Sequence, residues 1–160
     1  MDKTDISFNV NGEKFNYRVC AVMINDGRIL TMRDEHSPYR YLPGGRVKMG
    51  ETAEEAVIRE IREELFATPE IVRPLWLNQA FFTEETDNIR FHELCVYFLM
   101  DISRTELPKS GGFTLNEKAH TNDFMWLEFE RLKDEYFYPE FLKEAIFELP
   151  ENFTLRTEYE

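Results

Sequence analysis

Hydrophobic and polar positions alternate near the start of the chain, as they do in strands with one buried face. The segment ISFNVNGEKFNYRV (6–19) alternates on both sides of Asn11-Gly12, a dipeptide favoured in the tight turn of a β-hairpin. Its second arm continues into FNYRVCAVMI (15–24), whose nearly unbroken apolar run is typical of a central strand covered on both faces. The pattern therefore predicts a hairpin that leads into the middle of a sheet.

The rest of the chain predicts a mixture of strands and helices. Residues 104–123 are polar and are interpreted as a loop, and YPEFLKEAIFEL (138–149) is predicted to be a closing helix that ends before Pro150. Strands on both sides of an earlier helix predict an α/β (α+β) fold, with a mixed central β-sheet packed between helices. The further predicted strands are RILTMRDE (28–35), EIVRPLWLNQAFF (70–82), FHELCVYFLMDI (91–102) and DFMWLEF (123–129).

The earlier helix has clear boundaries in the sequence. Thr52 followed by Glu55 matches a capping box, so the helix is predicted to begin near Thr52. Thr68 precedes Pro69, which favours an end by about residue 67. At about 100° per residue, one stripe of the helix is apolar and is predicted to face the core. This stripe consists of Val57, Ile58, Ile61 and Leu65.

Three carboxylates form a second face of the same helix. Glu60, Glu63 and Glu64 lie on adjacent positions, where like charges repel by a few tenths of a kcal/mol per pair, about 0.2–0.5 on an exposed helix. Such a face is often only solvated. The alternative is that divalent cations neutralise it, and oxygen ligands at this density suit Mg²⁺ or Mn²⁺.

The composition of the chain limits the kinds of partner and cellular location that we expect. The 160 residues are expected to form one domain, and a formal charge of -12 disfavours binding to a nucleic-acid backbone, which is itself negatively charged. The start of the chain has no signal-peptide pattern, and no apolar run reaches membrane-spanning length. Cys20 and Cys95 have no CxxC spacing and are expected to be buried free thiols. A single-domain, cytoplasmic protein is therefore expected, while the oligomeric state stays open.

The acidic helix and the turn before it match a known motif. Gly45, five residues, Glu51, seven residues and then REIREELFA (59–67) resemble the Nudix box, G-x5-E-x7-R-E-U-x-E-E-x-G-U, where U is apolar. The preceding LPGG (42–45) is also typical of that family. Phe66 departs from the pattern, which has glycine there. We expect Phe66 to remain helical and the turn to shift towards Thr68-Pro69.

The resemblance implies a Nudix-type domain over residues 1–160 that hydrolyses phosphoric anhydrides. Its substrate would be a nucleoside diphosphate linked to another moiety, cleaved at the pyrophosphate bond with Mg²⁺ or Mn²⁺ as cofactor. Carried over by position, Glu60, Glu63 and Glu64 would hold the metal. The backbone carbonyl of Gly44 or Gly45 would assist them.

Other roles implied by the resemblance are less specific. Glu51 and Arg59 are either a ligand and a positioning residue or an ion pair that ties the loop to the helix, and we favour the ion pair. The catalytic base is one of the box glutamates or a glutamate outside it. Glu117, in the predicted loop before FMWL, is the first candidate and Glu93 is the rival, while an exposed acid without a role is the alternative for Glu117.

The substrate itself is not specified by the sequence. Downstream markers of the ADP-ribose and dinucleoside-polyphosphate subgroups are absent, with Phe82 and Thr83 at one position and Glu84 and Glu85 at the other. Arg33 and Arg46 flank the LPGG turn and are candidates for phosphate binding, or are ordinary solvated arginines. Phe81 is a candidate for stacking on a base, or a structural aromatic. Glu93 completes the candidate substrate-binding set.

Two other functions remain open. The chain could be a catalytically inactive nucleotide-binding Nudix module, although such a module need not retain the carboxylate face. It could also be an isomerase acting on a diphosphate ester, which needs an acid/base pair such as Cys95 and Glu93, two residues apart on one strand.

Overall fold

The hairpin at the start of the chain forms as predicted. In the computed structural model, which describes residues 2–160, β1 (Ser7–Val10) pairs antiparallel with β2 (Glu13–Asn25). Asn11 and Gly12 have φ values of 51° and 81°, the positive values that a type I′ turn requires at both central positions. The turn thus sets the register in which β2 enters the sheet.

Nine strands within residues 2–160 form one mixed sheet. Its order is β7-β8-β3-β2-β6-β5-β9, with β1 and β4 also paired to β2. The β2–β6 and β5–β9 pairs are parallel and the other pairs are antiparallel, so the predicted mixed sheet is confirmed. The remaining strands are β3 (Arg28–Asp34), β4 (Gly44–Arg46), β5 (Glu70–Thr83), β6 (Arg90–Asp101), β7 (Gly112–Glu117), β8 (His120–Glu128) and β9 (Thr154–Tyr159).

Helices cover both faces of this sheet. The long helix is α1 (Ala53–Leu65), and the short ones are α2 (Phe129–Leu132) and α3 (Leu142–Ala145). Val19, Ala21 and Met23 of β2 pack in one core with α1, whereas Cys20 and Val22 pack in another with α2 and α3. Burial on both faces explains the unbroken apolar run of β2. The α+β prediction with a central mixed sheet is confirmed.

The predicted loop at 104–123 is wrong in its second half. β7 and the start of β8 form a hairpin there, at the edge of the sheet. Phe113 and Leu115 pack against the core, while the alternate residues Thr114 and Asn116 are exposed. An edge strand with one solvated face is polar at every second position, and this lowers its average hydrophobicity to that of a loop.

The end of the chain also differs from the prediction. The closing helix is reduced to α3, a single turn in which only Leu142 is fully buried, because the surrounding residues form turns. The final strand, β9, was not predicted from the sequence. It runs parallel to β5, with Trp76 paired to Thr154 and Phe81 paired to Tyr159. None of the helices in residues 2–160 is long and apolar enough to cross a membrane.

Phe66 is not helical, contrary to the expectation. It follows the last residue of α1 with φ 54° and ψ 34°, a left-handed conformation, and its N–H donates to the carbonyl of Arg62. The expectation failed because the chain must leave α1 abruptly to enter β5, and a left-handed residue is the common way to end a helix. The motif that the sequence resembles has glycine at this position, and glycine adopts a left-handed conformation without the steric cost of a β-carbon.

Phe66→Gly should therefore stabilise the protein. A β-carbon in the left-handed region costs roughly 1–2 kcal/mol, partly offset by the greater unfolded-state freedom of glycine, so we expect the free energy of unfolding to rise by about 0.5–1 kcal/mol. The Phe66 ring is 66% exposed, so its removal forfeits little burial. Urea unfolding measures the change. Phe66→Ala is the control, because it removes the ring and keeps the β-carbon; an equal gain in both variants would contradict the explanation.

Candidate active site

The first turn of α1 is fixed by the predicted capping box. The Thr52 side chain accepts a hydrogen bond from the Glu55 N–H at 3.0 Å, and the Glu55 carboxylate accepts one from the Thr52 N–H at 3.1 Å. The apolar stripe then turns Val57, Ile61 and Leu65 into the core, with Ile58 half-buried. This orientation directs the carboxylates of the helix towards the neighbouring strands.

Glu64 is the most buried of these carboxylates. It is 6% exposed, and its Oε1 accepts a hydrogen bond from the Gly44 N–H at 2.9 Å. Burial raises the pKa of the Glu64 carboxyl well above its ordinary value, the nearby Glu60 carboxylate raises it further, and the Gly44 N–H partly opposes the change. A charged Glu64 is thus an unfavourable state that a cation would relieve.

Glu60 lies beside the same turn. A β-carbon on Gly45 would overlap the Glu60 carboxylate, so any larger residue there would displace this carboxylate from its place beside the turn. Burial raises the pKa of Glu60, although the Arg59 guanidinium lowers it in part. The Glu63 side chain is more open, with 45% of its surface exposed. Exposure therefore increases along this helix face from Glu64 to Glu60 to Glu63.

Arg59 ties the loop before α1 to the carboxylates. Its Nε and Nη2 donate to the two oxygens of Glu51 at 2.7 and 3.0 Å, and its Nη1 donates to Glu60 Oε1 at 2.9 Å. Nη2 also donates to the backbone carbonyl of Arg46 at 2.9 Å. The hydrogen bonds from Arg59 lower the pKa of Glu51. This geometry is that of the ion pair favoured from the sequence.

The donor set of this region suits a hard divalent cation. Glu64 is buried and Glu60 is half-buried, and the charge of Glu60 raises the pKa of Glu64. The third carboxyl, Glu63, is open to solvent and raises the pKa of Glu60. Only oxygen ligands are present among them, and such ligands are those that Mg²⁺ and Mn²⁺ prefer. The residues therefore fit the cation that the motif implies.

Glu64 opens into a large cavity. Its volume is about 710 Å³, which is within the range of sites that hold a drug-sized ligand. Gly44, Gly45 and Arg46 form the edge next to α1. The wall combines two guanidinium groups with aromatic rings, namely Arg18, Arg46, Tyr39, Tyr41, Phe82, Phe91, Tyr97 and Tyr138.

Only two of the four predicted substrate-binding residues line the cavity. Arg46 and Glu93 line the cavity. Arg33 and Phe81 do not line this cavity. Adjacent residues of a strand point to opposite faces, and it is Asp34 and Phe82 that face the cavity instead. Phe81 packs on the other face, stacked on Tyr159 at 5.1 Å between ring centroids.

The two candidate bases occupy different places. Glu117 is the last residue of β7 rather than part of a loop, and its Oε1 accepts a hydrogen bond from Asn122 at 3.4 Å. β7 packs against α1, and the charge of Glu117 contributes to the raised pKa of Glu64. Glu93 lies on the cavity wall, where burial raises its pKa and the Arg18 guanidinium partly opposes this.

Several cavity residues were not identified from the sequence. Arg18 is a charged residue inside the apolar run of β2, which is a signal that could have identified it. Glu158 and Glu160 reach the cavity because of β9, which was not predicted. Burial, with the charges of nearby glutamates, raises the pKa of Glu160 to about 7. Asn78 on β5 is 1% exposed and donates to Glu158 at 3.3 Å.

The cysteines are placed as expected from the sequence. Cys20 and Cys95 are both buried free thiols, with their sulfur atoms 3.5 Å apart. Cys20 lines the cavity, while Cys95 lies behind it and is 2% exposed.

Known proteins resemble this chain over most of its length. The family model for the NUDIX domain matches residues 14–146. An ADP-ribose pyrophosphatase of Methanocaldococcus jannaschii is 30% identical over 118 residues, covering 72% of this chain and 68% of that protein. An RNA pyrophosphohydrolase of Acinetobacter baylyi is 25% identical over 141 residues, covering 81% of this chain and 79% of that protein.

A solved structure agrees with these matches. The crystal structure of a MutT NUDIX hydrolase from Burkholderia pseudomallei superposes with a TM-score of 0.54 at 26% identity, covering 74% of this chain and 86% of that one. The carboxylate helix and its glycine turn lie within the matched range of the family model. The chain therefore belongs to the NUDIX domain family and is a Nudix-type pyrophosphohydrolase, an enzyme that acts on phosphoric anhydrides.

Proposed function

We propose that this protein, acting as one domain of residues 1–160, uses Mg²⁺ or Mn²⁺ to cleave the pyrophosphate bond of a nucleoside diphosphate linked to another moiety. One observation carries the proposal. The buried carboxylate of Glu64, whose pKa is raised by Glu60, lines a cavity of about 710 Å³. The wall of this cavity has both guanidinium and aromatic groups.

Glu60, Glu63 and Glu64 would hold the metal, with the backbone carbonyl of Gly44 or Gly45. When bound, the metal would neutralise phosphate charge and lower the pKa of an attacking water. Arg59 acts through other residues, because it holds Glu60 by its Nη1 and the loop by Glu51. It is therefore a positioning residue that keeps the carboxylates in place before the substrate arrives.

The cavity wall supplies groups for the remaining parts of such a substrate. Arg18 and Arg46 are positive groups suited to phosphate oxygens, and Arg46 adjoins the glycine turn. Tyr39, Phe82 and Phe91 offer aromatic faces for a nucleobase. The names of the two relatives, an ADP-ribose pyrophosphatase and an RNA pyrophosphohydrolase, support a nucleotide diphosphate linkage as the shared chemistry.

The catalytic base is proposed to be Glu117. Its strand β7 packs against α1, its charge raises the pKa of Glu64, and in the proposed reaction it would take the proton of the attacking water. Glu117→Gln should lower kcat at least about tenfold at saturating metal and substrate, since general bases contribute about a hundredfold or more. Steady-state kinetics of the purified variant measures this change.

Two variants control for the identity of the base. Glu106→Gln removes an exposed acid in the connection before β7 and should leave kcat near that of the wild type. Glu93→Gln tests the rival. If Glu93→Gln is the slow variant while Glu117→Gln and Glu106→Gln behave alike, the role passes to Glu93.

The structure weighs against the isomerase alternative. That chemistry needs Cys95 and Glu93 to face the substrate together, but Cys95 lies behind Cys20 and burial raises its pKa well above the ordinary value of a thiol. The inactive-module alternative does not explain why all three carboxylates of α1 are present, because a module that only binds a nucleotide does not need them. Cytoplasmic location is part of the proposal and rests on the two unpaired thiols.

A product screen tests the proposed function. The protein is incubated with a panel of diphosphate compounds, including nucleoside diphosphate sugars, dinucleotides and an isoprenoid diphosphate, in Mg²⁺ or Mn²⁺. We expect cleavage at the pyrophosphate bond, detected as a nucleoside monophosphate by chromatography. Rearrangement without cleavage would favour the isomerase, and binding without turnover across the panel would favour the inactive module.

A further inference from the structure

Two of the three histidines in the chain meet at a glutamate away from α1. The Oε1 atom of Glu35 lies 3.7 Å from Nε2 of His36 and 3.4 Å from Nδ1 of His120. One ligand atom from each residue lies within 4.8 Å of those of the other two. The group joins residues that are about half the chain apart in sequence.

The backbone holds these three side chains in place. Glu35 and His36 follow β3, and His120 begins β8. The second oxygen of Glu35 accepts a hydrogen bond from the Thr121 N–H at 3.0 Å, and the His36 N–H donates to the Asp34 carboxylate at 2.8 Å. The carboxylate therefore bridges two segments and leaves Oε1 directed at both imidazoles.

We propose that Glu35, His36 and His120 form a second metal site, which takes a late first-row divalent ion such as Zn²⁺. Two imidazoles and one carboxylate are a ligand set that suits Zn²⁺, Co²⁺ or Ni²⁺, whereas Mg²⁺ prefers oxygen ligands alone. The site thus differs in chemistry from the carboxylate face of α1, and it does not depend on the proposed function.

The distances fit such an ion after small adjustments. With metal–ligand bonds of about 2.0–2.2 Å and tetrahedral angles, ligand atoms are about 3.3–3.5 Å apart. The two glutamate–histidine distances of 3.4 and 3.7 Å are close to this range. All three side chains are accessible, with exposed fractions of 37% for Glu35, 77% for His36 and 56% for His120, so water can complete the coordination.

Occupancy would link the cavity to the β7–β8 hairpin. His36 lines the cavity, and His120 pairs with Glu117 across the hairpin. A bound ion would clamp the turn that follows Glu117 to the segment that follows β3. A hydrogen-bonded histidine–glutamate–histidine cluster without metal is the alternative, and the two differ in their response to zinc.

The test is a titration of the full chain with ZnCl₂, with Mg²⁺ in large excess to occupy the carboxylates of α1. The imidazole signals of the three histidines are followed by two-dimensional NMR and assigned with single variants. We expect the signals of His36 and His120 to shift together and saturate at one Zn²⁺ per chain. The signal of His92, which packs between Phe15 and Phe81, should stay unchanged.

Variants give the second measurement, which is Zn²⁺ affinity by competition with a chromogenic chelator. His120→Gln and Glu35→Gln should each weaken binding at least about tenfold, since even the outer partners of metal ligands are worth about 10–100-fold in affinity. His92→Gln is the matched control and should bind as the wild type does. The proposal is overturned if zinc shifts His92 as much as the other two, shifts none of them, or binds His120→Gln as tightly as the wild type.

Discussion

Glu64→Gln is expected to lower kcat by about two orders of magnitude or more while the protein stays folded. Glutamine keeps the shape of the side chain and its place beside Gly44, but it removes the charge that would hold the metal or accept a proton. The measurement is kcat at saturating substrate and Mg²⁺ or Mn²⁺, together with the thermal unfolding midpoint.

The control for this variant is on the same helix. Glu54 is an exposed acid in the first turn of α1, so Glu54→Gln removes the same charge from the same element and should leave kcat near the wild-type value. A near-normal rate for Glu64→Gln would return the carboxylate face to the role of a solvated surface.

Removal of divalent metal is expected to abolish turnover. Excess EDTA should reduce the rate to background, and Mg²⁺ or Mn²⁺ added beyond the chelator should restore it, because the proposed ligands are all oxygen atoms. Dialysis against EDTA followed by assay with each ion is the measurement. Activity that persists in the chelator would contradict the proposed mechanism.

Binding of Mg²⁺ should also stabilise the folded protein, and by more at high pH than at low pH. The pKa values of Glu60 and Glu64 are raised in the folded protein, so these groups favour folding below the unfolded pKa of about 4.3, and this contribution is lost as the pH rises through the folded values. A bound cation offsets the cost of the charged forms. The rise in unfolding midpoint on adding Mg²⁺ should therefore be larger at about pH 8 than at about pH 5.

The elements that the sequence predicted well are those whose signals are local. The capping box of Thr52 and Glu55, the apolar stripe of α1 and the Asn11-Gly12 turn each depend on residues whose nearest partners are at most four positions away. The carboxylate face of α1 was predictable for the same reason. Helical spacing alone brings Glu60 and Glu64 together.

The features that the sequence did not predict depend on distant partners. β9 is a strand because β5 lies beside it, and its own TLRTEY has no strong pattern. Whether Arg33 or Asp34 faces the cavity depends on the strand register, and a shift of one residue exchanges the two faces. The left-handed Phe66 follows from the direction in which the chain enters β5, and no property of phenylalanine favours it.

Acidic side chains outnumber basic ones on the cavity wall. Among the described residues, its lining includes seven carboxylates and two arginines, with Glu93, Glu158 and Glu160 in the first group. A bare polyphosphate anion would be repelled at the entrance, whereas its complex with a dication carries less charge. For the proposed substrates, the relevant concentration is therefore that of the metal-bound form. The ratio of free magnesium to nucleotide in solution would then determine the rate at which substrate binds.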